Sequence, residues 1–298
     1  MDSKPLLVLI TGPTAVGKTT VAIALAKMLG TVILSADSRQ FYAELNIGTA
    51  KPDATQLSEI QHYFIGQLSI TDYYNVARYE EDVLQLLPFL FEKHPVVLMV
   101  GGSGLYIDAV CRGIDDFPDP TPEMRDYLKG ILVGKGIAKL QELLRQYDPA
   151  HSLAVDIANP KRLLRALEVC MTTGKPYSEQ RMNQAKLRSF RVIKIGLNLP
   201  RPELFARINQ RVDSMMAAGL LEEVKQLIPL RHLNALNTVG YKELFTYLDG
   251  EISLERAVEN IKTNTRRYAK RQLTWFKRDL EMKWFEPQQI VEILKHIK

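Results

Sequence analysis

The sequence predicts an α/β fold in which helices cover both faces of a parallel β-sheet. Two observations support this prediction. Over about the first hundred residues, apolar runs typical of buried strands alternate with helical segments. In addition, a glycine-rich turn of phosphate-binding type, Gly12–Thr19, joins the first predicted strand to the first predicted helix. Together they indicate a fold like that of the P-loop NTPases.

The turn has the sequence GPTAVGKT and fits the pattern G-x-x-x-x-G-K-[ST], with a strand predicted before it at Leu6–Ile10 and a helix after it at Thr20–Leu29. Backbone N–H groups of such a loop stabilise polyanions at a helix N-terminus. Lys18 is expected to reach the terminal phosphates, and Thr19 to ligate Mg²⁺. A plain strand–turn–helix would give no reason for this Lys-Thr pair. The predicted phosphate-binding residues are Gly12, Pro13, Thr14, Ala15, Val16, Gly17, Lys18 and Thr19.

Two further strands are predicted in the N-terminal part, at Thr31–Ala36 and Pro95–Val100. The first is followed by Asp37 and the second by the glycine turn Gly101–Gly104. In parallel sheets ligands bind beyond the carboxyl ends of the strands, so the phosphate loop, the Asp37 turn and the glycine turn should line one crevice. Helices are predicted at Tyr79–Phe91 and Leu105–Cys111.

The pattern changes at the turn-rich segment Asp115–Pro122, and from Glu123 to about Lys186 only helices are predicted. One of them is sharply bounded, with Asn159 as N-cap and Gly174 at its end. A strand then returns at Arg191–Leu199, and the rest of the chain is predicted to be helical. We expect residues 1–116 and 190–298 to form the catalytic core with C-terminal helices. Residues 117–189 would form a helical insertion, or a second domain with its own small sheet.

The composition is that of an ordinary soluble globular protein: 298 residues, 46% hydrophobic and 24% charged, with a net charge of +5. No apolar run approaches the roughly 20 residues that span a bilayer, and no signal peptide is evident. We therefore expect a cytoplasmic protein that binds no membrane. Cys111 and Cys170 have no metal-ligand neighbours at useful spacing, so both are expected to be reduced core residues.

The carboxylate at position 37 bears on the type of reaction. NTP hydrolases hold Mg²⁺ with an Asp at the end of an apolar strand, but the strand before Gly101 ends without a carboxylate. The pattern favours group transfer from a phosphorylated donor to an acceptor beside Asp37. By position alone, Asp37 could be a general base, a Mg²⁺ ligand through water, or the cap of its own turn.

Two sets of basic residues in the C-terminal half suit anionic ligands. Arg207 and Arg211 are one helical turn apart and could clamp a diphosphate, or they could be solvated surface charges. The segment Lys262–Arg278 contains no acidic residue, and at helical spacing a basic face forms. A helix face with only positive charges favours binding of nucleic acid, because a face that is merely solvated usually carries both positive and negative charges. Tyr268 and Trp275 of this segment are expected in the core, and the basic face comprises Arg267, Lys270, Arg271, Thr274 and Arg278.

Seven segments together resemble the tRNA dimethylallyltransferases, which prenylate the adenine 3′ to the anticodon. They follow the family order and cover nearly the whole chain: GPTAVGKT (Gly12–Thr19), SADSRQFY (Ser35–Tyr42), IGTAKP (Ile47–Pro52), GGSGLYIDA (Gly101–Ala109), NPKRLLRALEV (Asn159–Val169), GYKEL (Gly240–Leu244) and RRYAKRQLTWFKR (Arg266–Arg278). Ser103 replaces the usual Thr, and Ile60–Ile65 replaces a more usual Pro-His-His-Leu. Without the zinc module of many eukaryotic relatives, the chain looks like the shorter bacterial form.

The resemblance implies transfer of a dimethylallyl group from dimethylallyl diphosphate to N6 of that adenine. It implies Mg²⁺ as cofactor, held by Thr19, and Asp37 as the general base. Lys18, Thr19 and Arg211 would also be catalytic, and Arg207 would help to bind the diphosphate. The partner would be the anticodon stem-loop of tRNA, and the enzyme is expected to be a monomer. The implied tRNA contacts are Asp37, Ser38, Arg39, Gln40, Ser103, Arg125, Lys161, Arg162, Leu163, Leu164, Arg165, Arg267 and Arg271.

The segment Lys161–Arg165 is a further basic element, in which the leucines should face the core and the cations should face the RNA. Gln40 is expected to contact the adenine edge. Three other functions fit parts of the pattern: a P-loop small-molecule or nucleoside kinase, an adenylate isopentenyltransferase, and a non-catalytic RNA-binding protein. The absence of a strand-end Asp opposes the kinase, and the catalytic set Lys18, Thr19 and Asp37 opposes simple binding.

Overall fold

The computed structural model describes residues 4–182 and 184–298 of the chain. It separates into two compact units. The first consists of the residues up to Cys111 together with Leu187–Lys298, and the second is Arg112–Lys186. Among the described residues no helix combines the length and the apolarity that crossing a bilayer requires.

The first unit contains a six-stranded sheet in which all paired strands are parallel, in the order β3-β2-β4-β1-β5-β6. The predicted strands are confirmed with small shifts at their ends. The short edge strands β3 and β6 were not predicted, because two or three residues give no periodic signal. The strands are β1 (Leu6–Thr11), β2 (Ile33–Ala36), β3 (His62–Tyr63), β4 (Val96–Gly101), β5 (Arg191–Leu197) and β6 (Lys283–Phe285).

Helices cover the sheet and build the second unit. Helix α5 contains a kink at Gly136, where φ is 73°. The helices are α1 (Lys18–Leu29), α2 (Ala54–Glu59), α3 (Val76–Lys93), α4 (Gly104–Arg112), α5 (Pro122–Tyr147), α6 (Pro149–Ala154), α7 (Pro160–Thr173), α8 (Tyr177–Gln180), α9 (Arg201–Ala217), α10 (Leu220–Gln226), α11 (Tyr241–Leu248), α12 (Leu254–Phe276) and α13 (Ile290–Ile297).

Side chains of the central strand β1 divide between the two faces of the sheet, since successive residues of a strand point in opposite directions. Leu6, Val8 and Ile10 pack in one buried cluster, which also contains residues of α1, α9 and α13. Leu7 and Leu9 pack in the other, with residues of α3 and α4. The sheet is therefore buried on both faces, as parallel sheets require.

The strand register places the functional turns at one edge of the sheet. Thr11, the last residue of β1, pairs with Gly101 of β4 and Gly196 of β5. Ala36, the last residue of β2, also pairs with Gly101. The phosphate loop, the Asp37 turn and the glycine turn therefore all begin at the same level, in line with the predicted crevice.

The second unit is entirely helical in its described residues, with no strand assigned to them. Its core is formed mainly by α5 and α7, with Leu163 and Leu167 fully buried. The predicted boundaries of α7 are confirmed: the Asn159 side chain accepts the Arg162 N–H, and Gly174 closes the helix with a φ of 70°. An internal small sheet, the alternative for this segment, is absent from the described part of it.

Candidate active site

The phosphate loop connects β1 to α1 through backbone conformations that favour glycine. Gly12 has a φ of 146°, and a Cβ there would lie 2.4 Å from the Leu197 carbonyl oxygen. Gly17 precedes the helix with a φ of 102°. The first N–H groups of α1 have no acceptor within the helix, so they are available to an anion. Thr14 and Thr19 are half-buried and Val16 is buried.

Lys18 folds back over the loop, donating to the carbonyl oxygens of Gly12 at 3.0 Å and Pro13 at 2.9 Å. Burial and, to a smaller extent, the positive charge of Arg211 lower the pKa of its ammonium to about 7, against the opposing effect of Asp37. A bound diphosphate would supply a negative counter-charge and so favour the protonated form of Lys18. Three of the four predicted catalytic groups, Lys18, Arg211 and Asp37, therefore lie within electrostatic reach of one another.

The two predicted clamp arginines lie on α9 but differ in their surroundings. Arg211 is half-buried, and burial lowers its pKa, with Asp37 acting in the opposite direction. Arg207 forms an ion pair with Glu203, 2.8 Å from Nη2 to Oε1. Its Nη1 lies 3.9 Å from the point that a Cβ on Gly17 would occupy. Both guanidinium groups therefore border the phosphate loop, as a diphosphate clamp requires.

The Asp37 turn is held against the glycine turn by hydrogen bonds. Oδ1 of Asp37 accepts the Arg39 N–H at 3.0 Å, so this side chain does cap its own turn. The Ser103 hydroxyl oxygen accepts the Ser38 N–H at 2.9 Å, and Ser103 N–H donates to the Ala36 carbonyl at 3.2 Å. The serine that replaces the usual threonine thus retains the hydroxyl that fixes the turn.

Gln40 is engaged within the protein. Its Nε2 donates to the carbonyl oxygens of Thr49 and Ala50, both at 3.2 Å, and its Oε1 accepts the Ser35 hydroxyl at 3.2 Å. These bonds tie the Asp37 turn to the IGTAKP segment. Because both Nε2 hydrogens are used, an adenine contact by this amide, as predicted, would have to use the second lone pair of Oε1 or replace one of these bonds.

Few side chains near the phosphate loop could ligate a divalent cation. Among the described residues no cluster of three or more His, Cys, Asp or Glu side chains could hold a metal by itself. The Thr19 hydroxyl at the first turn of α1 is one oxygen donor, and diphosphate would bring others. Such a site fits Mg²⁺, which usually retains waters and binds proteins through one or two side chains plus substrate phosphates.

The cations of α12 and of the two residues after it have three kinds of surroundings: contacts with α9, a cavity, and solvent. Lys262 pairs with Asp213 at 2.8 Å, and Arg266 donates to the Asn209 side chain at 2.6 Å, so both are bound to α9. Lys270 and Lys277 line a cavity of about 520 Å³ together with apolar side chains that include Phe205. Lys270 therefore faces this cavity beside Lys277. Arg267, Arg271 and Arg278 are exposed.

The prediction that Tyr268 and Trp275 are core residues is wrong: each is 37% exposed. Trp275 packs against Gly104, where no Cβ could fit, and donates to Asp108 at 3.2 Å. Burial of its hydroxyl and, to a smaller extent, the negative charge of Asp37 raise the pKa of Tyr268 to about 12, against the opposing effect of Arg39. Tyr268 thus belongs to the site beside Asp37. Sequence reasoning missed it because helical spacing places its ring away from the basic face.

Gln272 is a second residue that sequence reasoning missed. It is 6% exposed and joins the phosphate loop to the glycine turn. Helical spacing from Ala269 and Phe276, three residues before it and four after it, places this amide on the apolar side of α12, which is the signal that could have indicated it.

The predicted tRNA contacts of the second unit occupy its surface and its core. Lys161 and Arg162 are exposed at the start of α7, and Arg165 pairs with Glu168 at 3.6 Å. Arg125 pairs with Asp119 at 3.6 Å. Leu163 is fully buried and Leu164 half-buried, as expected of leucines that face the core. The Leu163 side chain therefore has no surface to offer an RNA.

Comparison of the sequence with known proteins identifies its family. The family model described as IPP transferase matches residues 40–279. The chain belongs to the IPP transferase family. It is 53% identical over 291 residues to tRNA dimethylallyltransferase 2 of Parabacteroides distasonis, covering 98% of this chain and 97% of the relative. It is 51% identical over 294 residues to tRNA dimethylallyltransferase 1 of Bacteroides thetaiotaomicron, covering 99% and 96%.

Solved structures of the same family have the same fold. The tRNA isopentenylpyrophosphate transferase of Bacillus halodurans matches with a TM-score of 0.71 and 36% identity, over 99% of this chain and 96% of that chain. A eukaryotic dimethylallyltransferase acting on tRNA matches with a TM-score of 0.75 and 26% identity, over 91% of this chain and 69% of that chain. The family resemblance and the P-loop NTPase-like fold inferred from the motifs are thereby confirmed for this IPP transferase family member.

Proposed function

We propose that this protein transfers a dimethylallyl group from dimethylallyl diphosphate to N6 of the adenine 3′ to the anticodon of tRNA. Membership of the IPP transferase family, with relatives named tRNA dimethylallyltransferase at 53% and 51% identity, supports this reaction. The observation that carries the mechanism is the strand register. It brings the phosphate loop that carries Lys18 and the turn that carries Asp37 to one edge of the sheet. Arg211 of α9 lies within electrostatic reach of both groups.

In the reaction the C1–O bond of dimethylallyl diphosphate breaks and the N6–C1 bond forms. Diphosphate departs with the electron pair, and N6 loses a proton. Free N–H groups at the start of α1, together with Lys18 and Arg211, would stabilise the growing negative charge. Arg207 would hold the far side of the diphosphate. Mg²⁺ on Thr19, when bound, would add charge stabilisation at the phosphate oxygens.

The acceptor side of the mechanism depends on Asp37. The adenine amine is a poor nucleophile because its lone pair is delocalised into the ring, so it needs a proton acceptor as the C–N bond forms. Asp37 Oδ1 caps the turn by accepting the Arg39 N–H. The second carboxylate oxygen is then the one we assign to the N6 proton. Enzymes that modify a base extrude it from its stack, and we place the extruded adenine beside Asp37, where Tyr268 also lies.

We assign tRNA contacts to both compact units. In the first unit Ser38, Arg39, Gln40 and Ser103 surround the acceptor, and Arg267 and Arg271 offer exposed charge to phosphates. In the helical unit we assign the contacts to Arg125, Lys161, Arg162, Leu164 and Arg165, with Leu163 acting as a core residue behind them. A tRNA substrate would be met in the cytoplasm, and we propose that the enzyme acts there as a monomer.

A direct assay tests the reaction. Unmodified tRNA transcript, dimethylallyl diphosphate labelled in the prenyl group and Mg²⁺ are mixed with the protein, and label in RNA is measured. The matched control is a transcript in which guanine replaces the adenine 3′ to the anticodon. We expect label in the first transcript and none in the second.

Parallel arms distinguish the competing functions. Label in free AMP but not in tRNA would indicate an adenylate isopentenyltransferase. Transfer of the γ-phosphoryl group of ATP to a nucleoside would indicate a kinase. Binding of tRNA with no transfer of any label would indicate a non-catalytic RNA-binding protein, and each of these three results would contradict the proposed function.

A further inference from the structure

Gln272 of α12 connects two turns that are far away in sequence. Its Oε1 accepts the Thr14 N–H of the phosphate loop at 2.8 Å. Its Nε2 donates to the carbonyl oxygen of Gly102 in the glycine turn at 3.0 Å. The side chain is 6% exposed, so both bonds are shielded from water. One amide thus links the loops that follow β1 and β4, beyond the paired strand ends Thr11 and Gly101.

The glycine at position 102 is matched to this amide. A Cβ on Gly102 would lie 2.2 Å from Nε2 of Gln272, closer than any non-bonded contact allows. A side chain at position 102 would therefore displace the Gln272 amide from its place, and glycine permits the close approach.

The hydrogen bonds continue from the glycine turn to the general base. Ser103 N–H donates to the Ala36 carbonyl at 3.2 Å, and the Ser103 hydroxyl oxygen accepts the Ser38 N–H at 2.9 Å. These two bonds hold the residues on either side of Asp37. A continuous path therefore runs from the loop that would grip the donor phosphates, through Gln272, to the turn that carries the base.

We propose that Gln272 is a positioning residue that sets the separation between the diphosphate-binding loop and Asp37. The proposal rests on the proposed function. Displacing reacting atoms by about 1 Å from their productive distance can cost on the order of 10²-fold in rate. Glutamine accepts from Thr14 and donates to Gly102 with one planar group at every pH, whereas a carboxyl group can do so only when it is protonated. Methionine has similar length but makes neither bond.

Misplacement should change the products as well as the rate. An allylic diphosphate that ionises next to a well-placed amine alkylates it, whereas water captures the prenyl group when the amine is displaced. In that side reaction the C1–O bond to diphosphate breaks, a C1–O bond to water forms, and a proton is released. The product, dimethylallyl alcohol, is separable from labelled tRNA, so their ratio reports position independently of the amount of folded enzyme.

The experiment uses Gln272→Met, with the exposed Gln226→Met on α10 as the matched control. We expect Gln272→Met to reduce kcat by roughly 10- to 100-fold, with a KM for tRNA close to that of the wild type and an increased ratio of alcohol to prenylated tRNA. The control should match the wild type. An unchanged product ratio in Gln272→Met would overturn the proposal, whatever happens to the rate.

A second variant covers the case in which the methionine substitution prevents folding. In Gln272→Glu the protonated carboxyl can still donate to Gly102 and accept from Thr14, but the carboxylate cannot donate. Burial favours the protonated form, so turnover relative to wild type should decline from about pH 6 to about pH 9. Low turnover with a wild-type ratio of alcohol to prenylated tRNA would contradict the positioning role. Absence of transfer by the wild type would instead refute the proposed function.

Discussion

The Glu223 carboxylate and the Tyr241 hydroxyl form a 2.7 Å hydrogen bond between α10 and α11. The same carboxylate accepts the backbone N–H groups of Asn46, Ile47 and Gly48, at 3.1, 2.7 and 3.0 Å. A Cβ on Gly48 would lie 2.6 Å from the Tyr241 ring, so this approach also requires glycine. Glu223 therefore anchors the segment whose carbonyl groups hold Gln40 beside the active site.

We expect Glu223→Gln to destabilise the protein by about 1–3 kcal/mol, because hydrogen bonds to a charged acceptor are replaced by weaker ones. In a chain of this size that corresponds to a decrease in Tm of several degrees. Calorimetry would measure it, with the exposed neighbour Glu222→Gln as control. Equal Tm values for the two variants would show that Glu223 does not anchor the segment.

Asp37→Asn separates the catalytic role of Asp37 from its structural one. The asparagine keeps an oxygen that can accept the Arg39 N–H, so the turn should persist. It cannot take the N6 proton, and turnover should decrease by roughly 10² or more. Single-turnover assays and tRNA binding measured side by side provide the check. Turnover above a tenth of the wild-type rate would mean that Asp37 is not the base.

Arg267→Ala should weaken tRNA binding and reduce its salt dependence, because the exposed guanidinium is assigned to a phosphate. The slope of log K against log salt should become shallower by up to about 1. The control is Arg256→Ala, an exposed arginine near the start of the same helix. If both variants have the wild-type slope, this part of α12 lies outside the interface.

Diphosphate binding should be coupled to proton uptake at Lys18. The pKa of about 7 in the folded protein lies below the ordinary 10.5, so above pH 7 the free enzyme holds mostly neutral Lys18. A bound anion favours the ammonium, so up to about one proton should be taken up near pH 8, and affinity should decrease as pH increases. Calorimetric titration in buffers of different ionisation enthalpy measures this uptake.

The matched control for that titration is Lys18→Arg, which retains the charge at every pH used and should take up no proton at this position. Titration of the diphosphate itself contributes equally to both proteins. Equal proton uptake by the wild type and Lys18→Arg would show that Lys18 is already charged in the free enzyme.

The lowered pKa of Lys18 also affects the stability of the fold. Between pH 7 and 10.5 the folded state binds fewer protons at Lys18 than the unfolded state, so this residue makes the fold more stable as pH increases through that window.

The fold was predictable wherever its signals are local. The phosphate loop, the buried strands β1, β2, β4 and β5 and the capped helix α7 follow from residue types at fixed spacing, and the structure agrees with them. The edge strands β3 and β6 were not predictable, because short strands form only where a neighbouring strand offers its hydrogen bonds.

For the site, the sequence alone determined the chemistry that is available: a loop for phosphates, a carboxylate after a neighbouring strand, and basic helices. Only the tertiary structure decided which groups meet. Lys262 and Arg266 turn to α9, the exposed Tyr268 approaches Asp37, and Gln272 joins turns 258 and 170 positions away from it. The physical reason is that periodicity fixes the face a residue occupies on its own helix. The element packed against that face is set by long-range contacts, which no local pattern encodes.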